Sequence, residues 1–71
     1  MSVVVIRWTN KFSGEQGYVG SVSTKNRCFY NAPDRNGAKL YSSEKAANKV
    51  ITQLTSYGEA ENNDFEVLAA G

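Results

Sequence analysis

Four β-branched residues in series open the chain, Val3 being Val like Val4 and Val5, with Ile6 after them. Two heavy atoms on Cβ suit such side chains to a pleated backbone better than to a helix. Residues 2–8, from Ser2 to Trp8, therefore read as a first strand. Alternation puts Val3, Val5 and Arg7 on one face and Val4, Ile6 and Trp8 on the other. Both faces are apolar, the pattern of an inner strand covered on two sides. Thr9 to Gly17 is polar and reads as a loop, followed by a second strand from Tyr18 to Ser23. A polar turn at Thr24, Lys25 and Asn26, with Asn26 tolerant of a left-handed backbone, leads to a third strand from Arg27 to Asn31 that closes a hairpin. Pro33, Asp34 and the Asn36-Gly37 pair signal a turn, and Lys39 to Tyr41 reads as a short extended segment.

The helix is written in the spacing that follows. At 100° per residue, Ala46, Ala47, Val50, Ile51, Leu54 and Tyr57 fall within an arc of about 140°, and polar residues fill the rest of the circle. Ser42 or Ser43 caps the first turn, Glu44 sits at its positive end, and Gly58 closes the helix. Ile51→Asp is expected to unfold the chain. Glu59 to Asn63 reads as an acidic loop, and Phe65, Val67 and Ala69 alternate with Glu66 and Leu68 in a last strand. The order is β-β-β-α-β. It predicts an α+β fold: a three- to four-stranded, mostly antiparallel sheet with one amphipathic helix on one face.

One helix hides one side of such a sheet, yet the first strand is apolar on both sides. Either Val3 with Val5, or Val4 with Ile6 and Trp8, is then expected at an open surface, the kind of patch that marks an interface. The alternative is that the long Thr9–Gly17 loop, Phe12 included, folds over it.

Length supports one domain, residues 1–71. A chain this short buries only about 60% of the surface its unfolded form exposes, so it presents surfaces rather than deep clefts. Hydrophobic content of 41% and charged content of 21% are those of a globular chain. The longest apolar run is too short to span a membrane, and Met1-Ser2-Val3 lacks the start of a signal peptide. A lone cysteine, Cys28, forms no internal disulfide. The expectation is a cytoplasmic chain with Cys28 as a part-buried structural thiol.

The net charge of +1 conceals two poles. All eight Lys and Arg lie between Arg7 and Lys49, against three acids in the first 50 residues, giving that section +5; the remainder carries four acids and no base, giving −4. Either pole could steer a charged partner, or the two could cancel on folding. Basic residues interleave with aromatics, which makes a single-stranded nucleic-acid binder one candidate. It would use Arg7, Arg27, Phe29, Lys45 and Lys49, the two lysines lying one turn apart on the exposed helix face.

The catalytic inventory is poor. There is no histidine, hence neither the commonest general base nor the commonest zinc ligand. Glu59, Glu61, Asp64 and Glu66 match no metal loop and read as a solvated edge. Asp34-Arg35-Asn36-Gly37 reads as a turn. Gly14, Gly17 and Gly20 lack phosphate-loop spacing; Gly14 and Gly17 read as loop flexibility, and Gly20 as a bulge or a close backbone approach. No enzyme activity, cofactor or metal is expected.

Val3-Val4-Val5-Ile6-Arg7-Trp8, the stretch from Ala38 through Tyr41-Ser42-Ser43-Glu44 to Ile51, and Phe65-Glu66-Val67 together resemble a class of small bacteriophage and prophage proteins. In that class two or three strands lead through an Ala-Lys-x-aromatic-x-Ser segment into one amphipathic helix and a final Phe-Glu-aliphatic strand. The resemblance spans most of the chain as a pattern and carries over no site residue. It implies a mobile-element product in a bacterial host cell, in a class where anti-CRISPR proteins and other counter-defence inhibitors occur.

The leading expectation is a protein-binding module, an inhibitor of a host defence or regulatory protein. Trp8, Phe12, Tyr18 and Tyr30 are its anchors at the uncovered sheet face and rim, since aromatics dominate interface energies. Homodimerisation through that face is compatible with it, and a homodimeric structural protein is a further alternative beside the nucleic-acid binder.

Overall fold

The computed structural model describes residues 3–70. Ser2, the expected start of the first strand, lies outside them, as do Met1 and Gly71. The fold is α+β. Strands β1 (Val4–Asn10), β2 (Gln16–Ser23), β3 (Cys28–Ala32) and β4 (Asn63–Ala69) form one open sheet, and helix α1 (Glu44–Ser56) is inserted before the last strand. The sheet order is β3-β2-β1-β4 and every neighbouring pair is antiparallel. β1 is an inner strand, as its double apolar pattern requires.

Pairing fixes the phase of each face. β1 and β4 run in unbroken register from Val4↔Ala69 to Asn10↔Asn63. β1 and β2 pair only from Arg7↔Tyr18 to Thr9↔Gln16. Beyond that the β1–β2 pairing stops, and β2 carries a bulge against β3 between Val19 and Ser21, at Gly20, which reads as a bulge or a close backbone approach. The vacated edge of β1 is filled by the expected extended segment, where Val4 N donates to Tyr41 O (2.9 Å) and Tyr41 N to Val4 O (2.8 Å); the same segment reaches β2 through Lys39 N to Val19 O (3.0 Å).

Val4, Ile6 and Val19 face the helix and form the buried core with Tyr41, Ala47 and Leu54. Trp8, Val22, Phe29, Phe65 and Val67 extend the sheet side of that core, and Val50, Ile51 and Tyr57 its helix side. Leu54 is fully sealed whereas Ile51 is only half-buried, so Leu54 is the helix position most sensitive to truncation. Ser43, the second of the two candidate caps, accepts a hydrogen bond on Oγ from Ala46 N at 3.2 Å. Gly58 ends the helix at φ 87°. The Arg27 guanidinium donates to Ser56 O at 3.3 Å and lies over the Tyr57 ring at 5.4 Å, a cation placed where the helix dipole is negative.

Several local expectations are corrected. Arg27, not Asn26, takes the left-handed conformation of the hairpin turn, at φ 54°, and the third strand starts at Cys28. Glu59–Glu61 is a 3-10 turn and Asn63 already belongs to β4. The turn expected at Asp34–Gly37 is present as a 3-10 turn, Arg35–Gly37, capped by Asp34, whose carboxylate accepts from Asn36 N and Gly37 N. Gly17 lies within β2, where it is required by close approach: a Cβ there would collide with Asn31 Oδ1 and stand 2.8 Å from Trp8 Nε1.

Tyr41 brings a hydroxyl into the core that has no hydrogen-bond partner among the described residues. An unsatisfied buried hydroxyl costs about 1–3 kcal/mol, so Tyr41→Phe is expected to hold or raise the melting temperature. Burial also pushes the Tyr41 hydroxyl above its ordinary value of 10.0. Ionisation is then easier in the unfolded chain. The contribution of Tyr41 to stability is therefore complete below about pH 10 and is lost as pH rises through the folded value. Thermal melts between pH 8 and 11 check both statements; a wild type and Tyr41→Phe with parallel profiles would contradict the burial.

Candidate interaction surface

The sheet face away from α1 carries Val3, Val5, Arg7 and Thr9 of β1 and its approach, and their cross-strand neighbours Glu66 and Leu68 of β4 and Tyr18 of β2. Tyr30 of β3 lies on the same face, opposite Ser21. This outer face is not bare. Val5 is only 1% exposed. Its cover comes neither from α1 nor from the Thr9–Gly17 loop, but from the connection between β3 and the helix. The Arg35–Gly37 turn rests against the β2–β3 pair, so that a Cβ on Gly20 would meet Ala32 Cβ at 3.3 Å and Gly37 O at 3.4 Å. From that turn Arg35 reaches across to donate to Ala69 O at 2.6 Å. A cleft of about 390 Å³ remains, lined by Val5, Arg35, Asn36, Ala38, Leu40 and Ala70.

The open apolar flank is thus smaller than the strand pattern suggested. Its exposed members are Leu40 (60%), Tyr30 (49%) and Val3 (36%). Across the middle, Arg7 Nε lies 3.2 Å from Glu66 Oε1. The face is mixed: apolar at its margins, with an ion pair at its centre.

The four expected anchors separate. Tyr30 is exposed on the outer face, and Tyr18 is half-buried there beside Arg7. Trp8 is on the helix side instead. Its Nε1 donates to Asn31 Oδ1 at 2.9 Å, and its ring packs 6.1 Å from that of Phe29, which meets Phe65 edge-on at 5.5 Å. Placing Trp8 on the uncovered face is therefore corrected. Its strand is apolar both ways, and the register puts the even-numbered residues under α1. Phe12 covers nothing: it is 80% exposed at the tip of the β1–β2 loop. That loop is well pinned. Asn10 Oδ1 accepts from Phe12 N (2.9 Å) and Ser13 N (2.8 Å), and Lys11 is tied to the connection after the helix through Asn62 O and, by Nζ, Ala60 O.

The nucleic-acid set does not converge. Arg7 is on the outer face in its ion pair, Arg27 serves the helix C-terminus, and Phe29 is locked between Trp8 and Phe65. Lys45 and Lys49 are exposed on α1, across the sheet from Arg7. Cys28 is a half-buried free thiol opposite Ser23. Among the described residues no three groups of metal-ligating type come together, and no helix is long and apolar enough to cross a membrane.

Leu40 and Val3 were missing from the anchors read off the sequence. For Leu40 the signal was there: in an extended segment whose Tyr41 enters the core, the preceding residue must point the other way. Against known families, curated proteins and solved structures, this chain finds no match.

Proposed function

We propose that this chain is a non-catalytic protein-binding module that docks through the margin of its outer sheet face. The observation that carries the reading is the exposure of Leu40, Tyr30 and Val3 on the side the helix does not cover, with Leu40 lining a cleft that also holds Val5. Large apolar side chains left in water around a concave surface are the usual material of an interface core. Tyr30 adds a rigid ring with a polar tip, a side-chain type that binds at low entropic cost. The finer reading, an inhibitor carried by a mobile element and directed at a host defence or regulatory protein, rests on the resemblance to phage proteins alone.

Leu40 supports the test because it is exposed and outside the core cluster. Immobilised wild type is expected to retain a defined protein from a bacterial lysate, and Leu40→Asp to lose it at least tenfold with an unchanged melting temperature. Equal retention by the two would remove the outer margin as the docking surface.

A further inference from the structure

The outer edge of β4 offers a second, independent surface. Ala70 N donates to Val3 O at 2.8 Å. With the register of the pair, this directs the backbone groups of Asp64, Glu66 and Leu68 towards β1, and those of Phe65, Val67 and Ala69 away from the sheet. Among the described residues no strand lies beyond β4. Among the described residues the one bond that reaches these outward groups is Arg35 Nη2 to Ala69 O. Of the devices that usually blunt an edge, β4 carries two charged residues, Asp64 and Glu66, and the Arg35 bond at one end, but it is seven residues long, in continuous register, with no Pro, no Lys and no bulge. β3, the opposite edge, is five residues long and pairs with a bulged neighbour.

We infer that β4 accepts an extended strand of another protein, antiparallel, with apolar and basic side chains alternating. Backbone pairing supplies the affinity in such strand addition, and alternate side chains supply the choice of partner. On the outer face the incoming side chains would stand beside Asp64 and Glu66, whose side chains are 75% and 55% exposed. Arg7 and Lys11 approach those carboxylates from the other side, while Glu59 and Glu61 add two more acids near the start of the strand. Four carboxylates against three cations, Arg35 on Ala69 O included, leave the edge acidic by one charge, with the acids at the Asp64 end and Arg35 at the Ala69 end. On the helix-side face the neighbours are Phe65 and Val67, which favour apolar side chains. A second copy of β4 fits less well, because it would bring another acidic row to the same face.

The probe is a capped heptapeptide alternating valine with lysine, titrated into the isotope-labelled full chain and followed by amide shifts and hydrogen exchange. Expected are shifts confined to residues 64–69, at least tenfold slower exchange of the Phe65 and Val67 amides at saturation, and at least tenfold weaker binding of the matching valine–glutamate peptide. Ala69→Pro removes an outward N–H while sparing the inner ladder, and is expected to weaken the lysine peptide at an unchanged melting temperature. No shift at millimolar peptide, equal response to the two peptides, shifts at β3 instead, or a concentration-dependent dimer without peptide would each overturn the proposal. If Ala69→Pro unfolds, the two peptides on wild type still decide it. Peptide binding and lysate capture read different surfaces, so either proposal can fail alone.

Discussion

Leu54→Ala is expected to cost about 3 kcal/mol, within the range for truncating a sealed leucine, and to lower the melting temperature by about 15 °C, given several degrees per kcal/mol for a chain this small. Leu54 is among the largest fully buried side chains, beside Ile6, Val5 and Val19. It belongs to the cluster that joins α1 to the sheet. The site has little freedom to collapse, because β1 beneath it is held by neighbours on both edges. Total stability for a small domain is about 5 kcal/mol, so one truncation removes more than half of it. Calorimetric melts decide the matter: a fall of less than 3 °C would mean that α1 does not seal the core through Leu54.

Gly17→Ala is the second large effect, about 2 kcal/mol from overpacking and about 1 kcal/mol from the hydrogen bond it displaces. The added methyl would occupy the space where Trp8 Nε1 meets Asn31 Oδ1. That bond ties β1 to β3 across the glycine. Trp8 is the sole tryptophan, so its fluorescence reports the site directly, and a red shift accompanied by a lower melting temperature is expected. Gly14→Ala is the contrast. Gly14 has nothing within 4 Å of the added Cβ and suffers only the strain of its φ of 77°, about 1 kcal/mol. Equal effects of the two substitutions would contradict the close approach at Gly17.

The parts of the fold that were legible are those written in local periodicity. The helix arc from Ala46 to Tyr57 and the Gly58 stop need only their own spacing and fall where expected, and the cap is Ser43, one of the two serines that spacing allowed. Val3 to Ile6 predicts an inner strand because it is apolar both ways, but for the same reason it carries no phase. Only the pairings of Arg7 with Tyr18 and Glu66 show that Trp8 turns under the helix. The cover over Val5 was illegible for another reason. It is made by a short polar turn and a single long arginine, and neither has a periodic signature. Gly17 read as loop flexibility because the chain around it is polar; its role depends on Asn31, fourteen residues away. Among the candidate anchors, Tyr30 and Phe12 are exposed, whereas Trp8 packs against the core, because exposure on a doubly apolar strand depends on which face the helix covers.

Under the proposed function, contact with another protein falls on the outer margin of the sheet rather than on the helix. Hydroxyl-radical footprinting of the chain bound to its captured partner tests this most directly. Strong protection of Leu40 and Tyr30, with Lys45 and Lys49 as reactive as in the free chain, is the predicted result. Unchanged reactivity at Leu40 and Tyr30 together with protection along α1 would contradict it.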